Sequence, residues 1–260
     1  MTQRKAAGLM FILSAIVAFV GQALALMKWE GVYELSWNLI SDLGVTECMP
    51  SDDNFTSRFI CSPWHGWFNF GLCASGVLLV IGGVLLILAH KGKEARAGLR
   101  AGVLAIIQGV AICVVGAVPH NVAGNLHDGA ALVSVVFGLG LMLAVAVGTR
   151  EPALPDGQRP MINAAVHKLT WVLLAVSTAG LVAFMMVADR PGLWERMAVD
   201  VQTVWTLLLG VGLLNSKIEA RPVPQRTQEA WEKRIAIMEA AKAEEKKAAQ
   251  RAEKKKGEAK

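Results

Sequence analysis

Apolar and polar positions fall in long blocks along this chain rather than alternating residue by residue. Six apolar runs lie at roughly Ala7–Met27, Trp67–Ala89, Leu99–Val118, His127–Gly148, Leu169–Ala188 and Val199–Leu214. Each approaches or reaches the length a helix needs to cross a bilayer, about 20 residues. Such runs read as helices because a helix satisfies its own backbone donors and acceptors within hydrocarbon. The first run carries Arg4 and Lys5 ahead of it and Ala23-Leu24-Ala25 near its end, as a signal peptide would. Its apolar stretch is nearer a span than a signal core of about 7–15 residues, so it reads as a retained span. The pattern predicts an all-α polytopic membrane protein. Residues 1–216 form a six-helix transmembrane bundle, and residues 217–260 form a charged tail, helical and then disordered.

Composition sharpens this picture. Hydrophobic residues make up 54% of the 260 and charged residues 18%, below the quarter or so usual in soluble domains. The charges gather in short clusters between the apolar runs and in the tail. The net charge of +5 therefore reports membrane orientation and a basic tail, and does not point to a nucleic-acid partner. Lysine and arginine concentrate at the N-terminus, in the second and fourth connections and in the tail, whereas the first connection is acidic and the third has neither. Short loops rich in these residues stay in the cytoplasm, so both termini are expected inside and the first, third and fifth connections outside.

Cysteine usage agrees with that orientation. Cys48 and Cys61 both fall in the first outer connection, where a disulfide is expected. A bridge closing so short a loop adds about 3 kcal/mol by constraining the unfolded chain. Cys73 and Cys113 lie within spans and read as small buried residues. Asn54-Phe55-Thr56 matches the glycosylation sequon, relevant only in a eukaryotic secretory route.

The candidate chemistry lies on the outer side. "YELSWNLISDLG" is expected to form a short helix or re-entrant piece at the interface, anchored by Tyr33 and Trp37 and ending near Gly44. Asp42 is a turn residue or a carboxylate aimed into a pocket at the mouth of the bundle. "GAVPHNVAGNLHDGAA" reads as a tight turn between spans three and four and holds His120, His127 and Asp128. Asp128 would cap a helix, and the histidines would make interfacial hydrogen bonds, or the group would act as a site. Ionisable groups at membrane depth are costly and often functional. Imidazole and carboxylate together suit a divalent metal such as zinc, although no HExxH or CxxC motif fixes one and no cofactor is indicated. His90 and His167 lie at inner ends of spans and read as flanking residues. In the tail, Trp231, Ile235 and Met238 give a weak apolar stripe on a helix.

Three segments, "NLISDLG", "WFNFGLCASGVLLVIG" and "GAVPHNVAGNLHDGAALVSVVFG", with "GLWERMAVDVQTVW" before the sixth span, resemble the bacterial membrane family of domain of unknown function 998. The resemblance covers roughly residues 7–215. More distantly, Ile40-Ser41-Asp42-x-Gly44 and His127-Asp128-x-Gly are similar to stretches of the FRAG/DRAM/Sfk membrane proteins, some linked to glycolipid-anchor remodelling. The resemblance implies a six-helix membrane domain in a bacterial inner membrane, and it groups Ser41, Asp42, His127 and Asp128 as one cluster on the non-cytoplasmic face. It assigns no activity. The Cys48/Cys61 pair and the long charged tail depart from the family pattern.

Two functions follow as expectations. In the first, Asp42, His120, His127 and Asp128 bind or process the polar headgroup of a lipid or glycolipid, with Arg58, Asn69, Glu195 and Arg196 as substrate-binding candidates and the arginines suited to phosphate. An enzymatic version would use His127 as acid or base, Asp42 or Asp128 to orient it and Ser41 as nucleophile. In the second, the protein is a non-enzymatic accessory subunit whose tail docks on a membrane-protein partner. Coupled transport fits least, because the spans show almost no ionisable residues at mid-depth.

Overall fold

The computed structural model describes residues 2–52, 57–89, 95–148, 162–187, 189–215 and 232–244. Asn54, His90 and Trp231, and the end of the tail, lie outside the described residues. Six helices dominate: α1 (Gln3–Met27), α2 (His65–Ala89), α3 (Ala95–Ala117), α4 (His120–Gly148), α5 (Ala164–Met186) and α6 (Pro191–Asn215). Each contains a stretch long and apolar enough to cross a membrane, so the protein is an integral membrane protein. A separate unit of the chain contains a helix over residues 232–244.

Each helix packs on the next in the chain, and α6 returns to pack on α1, so the six close into a ring. Large apolar side chains such as Ile16, Val20, Ile81, Val110, Leu132 and Val182 stay exposed on it. That is the expected outer surface of a ring surrounded by lipid tails. Inside the ring a core gathers Phe11, Leu79, Leu141, Met142, Trp205 and Leu209. Trp205 is buried with its indole N–H donating to Thr170 Oγ1 at 2.9 Å, so its polar edge is satisfied.

Lipid supplies no hydrophobic drive between helices, so close backbone approach matters more than in water. Gly76 on α2 shows this. A Cβ there would strike the Gly109 carbonyl oxygen of α3 and would lie 2.6 Å from Cys113 Sγ. Gly76→Val is therefore expected to push α2 off α3 and to cost about 2 kcal/mol, an overpacking penalty. A lowered unfolding midpoint in detergent would check it, and an unchanged midpoint would show that the contact yields freely.

Between α1 and α2 the chain forms a cap over one end of the ring. It contains a 3-10 turn, Ser41–Gly44, and a two-stranded antiparallel hairpin, β1 (Met49–Asp52) and β2 (Ser57–Ile60). Cys48 and Cys61 sit opposite one another just beyond the Met49–Ile60 pair, with Cα atoms 4.2 Å apart and their sulfurs together. Of the short helix or re-entrant piece expected over Tyr33 to Gly44, the closing turn Ser41–Gly44 is helical and the stretch before it is made of turns. Side chains intercept the backbone donors a helix would use: Asn38 Oδ1 accepts from Glu34 N–H and Asp42 Oδ2 accepts from Leu39 N–H, both at 2.9 Å. A small apolar cluster of Ala25, Ile40, Leu43 and Phe68, with Trp29 and Tyr33 against it, seats the cap on the ring.

Two helix starts differ from the apolar runs. α6 begins at Pro191, a residue suited to a first helical position, so Glu195, Arg196 and Asp200 are helical rather than part of a loop. α4 begins at His120, directly after Pro119, and is interrupted at Ala123, whose φ of −151° and ψ of 77° are not helical.

Candidate functional site

Below the cap lies a cavity of about 100 Å³, bounded by the apolar cluster under the cap and the deeper core. Its upper wall carries Gln22 from α1, Ser41 from the cap, His127 from α4 and Glu195 from α6. Deeper, it is walled by Ser14, Ser75, Gln108, Ser134, Gln202 and Thr206. From Glu195 to Thr206 the wall runs three turns of α6, about 16 Å at 1.5 Å per residue. The cavity thus reaches from the capped end to the middle of the helices. α5 contributes no side chain to it.

The polar wall is a network rather than a scatter. Ser14 donates to the Ser75 carbonyl at 2.9 Å, joining α1 to α2. Gln22 Nε2 donates to Asp200 Oδ1 at 2.9 Å, joining α1 to α6. Gln202 is held by its amide nitrogen, which donates to Val135 O and to Ser177 Oγ, both at 3.1 Å. That orientation makes Gln202 Oε1 an acceptor, and Gln108 Nε2 donates to it at 3.3 Å. Gln108 Oε1 is left buried with no hydrogen-bond partner, an unusual state for a buried polar atom. Gly138 on α4 makes room for this glutamine pair.

Glu195 and His127 are the ionisable residues of the wall. One Glu195 oxygen accepts the Ile40 N–H of the cap. His127 is buried and its Nδ1 contacts the Val118 carbonyl at 2.7 Å. A carbonyl only accepts, so that nitrogen carries the proton and, in the neutral ring, Nε2 carries the lone pair.

The structure distributes the sequence candidates between wall, rim and cap. Ser41, His127 and Glu195 share the cavity. Asp42 does not line it: the carboxylate is buried in the cap, where Arg58 Nε and Nη2 donate to it at 2.8 and 2.7 Å. Among the described residues neither Ser41 nor Asp42 hydrogen-bonds to a histidine. Asn69 donates to the Gly44 carbonyl at 3.0 Å and so holds the 3-10 turn. Arg196 Nη1 donates to the carbonyls of Leu35, Asn38 and Gly192 at 2.8–3.0 Å. Its other terminal nitrogen donates to Tyr33 Oη, and Tyr33 in turn donates to Leu39 O at 2.8 Å. Burial pushes the Tyr33 phenol well above its ordinary pKa, which keeps it a neutral donor. Both arginines expected on a phosphate are thus built into the cap.

At the rim, His120 Nδ1 lies 3.0 Å from Asp128 Oδ1, and the His120 and His127 rings meet edge to face with centroids 5.6 Å apart. Asn121 links this rim to the cap through two bonds with Thr46, at 2.9 and 3.2 Å. The first connection therefore folds onto the start of α4.

Sequence reasoning missed Gln22, Gln108, Asp200 and Gln202. Asp200 lies nine residues into α6, about 13 Å along it. The available signal was four hydrophilic side chains inside apolar runs, as in "VDVQTVWT" and "AIIQGV".

A family model described as "Protein of unknown function (DUF998)" matches residues 12–212. No curated protein matches the chain, and no solved structure does.

Proposed function

Because the chain belongs to the DUF998 family, whose description carries no activity, we propose from the site alone that the capped cavity binds a polar headgroup fragment of an outer-leaflet lipid or glycolipid. The observation that carries this reading is the buried, unpartnered Gln108 Oε1 on the cavity wall. An acceptor left unsatisfied there costs about 1–3 kcal/mol until a donor reaches it. Glu195 and the serine and threonine hydroxyls add further acceptors, and the wall has no lysine or arginine. The favoured ligand is therefore rich in donors and neutral or cationic: an amine or a set of sugar hydroxyls. A phosphate inside the cavity is disfavoured, since Arg58 and Arg196 are engaged in the cap. The volume suits a small fragment of a headgroup, given that one water needs about 10–15 Å³ on a comparable measure.

Binding is favoured over catalysis. Ser41 and His127 share the wall, but a nucleophile and its base need to come within hydrogen-bond reach, and these two make no such bond. The lysine and arginine pattern supports a cap facing away from the cytoplasm, with both termini inside a bacterial inner membrane. On that side the facing cysteines Cys48 and Cys61 would be oxidised. The helix over residues 232–244, exposed at every residue except Ile235, is the candidate arm for a membrane-protein partner.

The test is lipid retention through purification, read by native mass spectrometry after incubation with vesicles of phosphatidylethanolamine, phosphatidic acid or a glycosyl diacylglycerol. We expect the amine or sugar lipid to be retained in preference to phosphatidic acid. Gln108→Leu and Glu195→Gln should each weaken retention about tenfold or more, the size of a lost buried hydrogen bond to a polar ligand. Equal retention of all three lipids, or variants that retain them as the parent does, would remove the reading.

A further inference from the structure

The rim of the bundle carries a second arrangement, distinct from the cavity apart from sharing His127. One ring nitrogen from each of His120 and His127 and a carboxylate oxygen of Asp128 lie within 4.8 Å of one another. An unbroken helix could not achieve this. Residues eight apart are separated by about 12 Å along a helix axis, yet His120 Nδ1 and Asp128 Oδ1 are 3.0 Å apart. The non-helical Ala123 folds the His120 turn back over the first full turns of α4 and closes that distance. Asn121, one residue from His120, is tied to Thr46 of the cap, so the fold-back is held from outside as well.

The two imidazoles are also oriented. His127 is held by its Nδ1 bond to Val118 O, so in the proposed site its ring would ligate through Nε2. Metal-bound histidines commonly donate their other ring N–H to a backbone carbonyl or carboxylate, and this bond fixes tautomer and ring direction. His127 is buried, whereas His120 and Asp128 are exposed and paired with one another beside it. Two imidazoles and one carboxylate suit a first-row divalent ion in a site with an open position, zinc above all.

We infer that His120, His127 and Asp128 form a binding site for a divalent transition metal at the rim of the bundle. The broken start of α4 builds the site: one ligand is anchored by the helix, one is carried on the fold-back, and one closes from the helix surface. The remaining coordination position opens to the aqueous face, where water or a headgroup oxygen can enter.

The experiment uses the full chain, without an affinity tag, stripped of metal in detergent. Cobalt(II) is titrated in and the ligand-field absorption followed, and zinc(II) is then added in competition. The expected result is one equivalent of cobalt per chain with the intense bands of a four-coordinate ion, displaced by zinc. His120→Ala and Asp128→Ala should each weaken binding tenfold or more. His65→Ala, at a histidine outside the triad, should leave it unchanged. Absence of stoichiometric binding, or equal affinity in His120→Ala, would overturn the assignment. Neither His120 nor Asp128 lines the cavity, so both variants should retain lipid as the parent does, and the two proposals can fail separately.

Discussion

Asp42→Asn is expected to loosen the cap by about 3 kcal/mol, the lower end of the range for removing one partner of a buried ion pair. The carboxylate and the Arg58 side chain are 3% and 9% exposed, so solvent does little to screen them. Asparagine would set a neutral amide opposite the buried guanidinium, and removing one partner of a buried ion pair costs more than the intact pair contributes. Arg58→Met should do similar damage from the other side. The combination Asp42→Leu with Arg58→Met should cost much less than the sum, because it removes both charges together. The measurement is hydrogen exchange of the cap amides in detergent, with the unfolding midpoint alongside. Two single changes that simply add would show that the charges do not depend on one another. Since Ile40 and Ser41 belong to the cavity wall, a loosened cap should also release lipid faster.

Gly138→Ala should do comparable damage from inside the membrane. A Cβ at this position would overlap Gln202 Oε1 and lie 2.5 Å from Gln108 Nε2. Turning either amide aside breaks hydrogen bonds. Gln202 is held by Val135 O and Ser177 Oγ, and Gln108 depends on Gln202. Overpacking costs about 1–3 kcal/mol, and each displaced hydrogen bond about 1 kcal/mol more. A loss of about 3 kcal/mol with collapse of lipid retention is the expected outcome. Adding Gln202→Ala to Gly138→Ala should recover part of the stability by making room, without recovering retention. If Gly138→Ala unfolds at the parent midpoint and binds as before, the glutamine pair yields to the added methyl without cost.

Much of this architecture was legible in advance. The six spans are visible as blocks because a bilayer demands long, nearly uncharged helices. The capped end was visible as well: Asp42, His120, His127 and Asp128 were placed at one end of the bundle by the order of the spans alone. Their partners were not. Asp42 meets Arg58 because a hairpin reverses the chain between them, and that hairpin has no hydrophobic alternation strong enough to announce it. Arg196 looked available for a ligand. Its role as a clamp depends on carbonyls at Leu35 and Asn38 whose positions follow from the cap's turns. The start of α6 was read late because Glu195, Arg196 and Asp200 interrupt the apolar pattern, although helix geometry continues through them under shelter of the cap. Gln108 and Gln202 belong to opposite sides of the ring, and only its closure makes them neighbours.

The closure of α6 on α1 has a consequence for how this protein is made. The cap emerges from the ribosome immediately after the first span, but its clamps come from the last. Arg196 reaches Asn38 across 158 residues and Leu35 across 161. At ordinary synthesis rates of about 5–20 residues per second, that is a wait of about 8–30 seconds. Through that interval the nascent segment has its own hairpin and its hold on α2 and α4, but no roof beam from the far end. A chain stalled after α5 would therefore hold its Asp42–Arg58 pair and hairpin but lack the Arg196 bonds to Leu35 and Asn38.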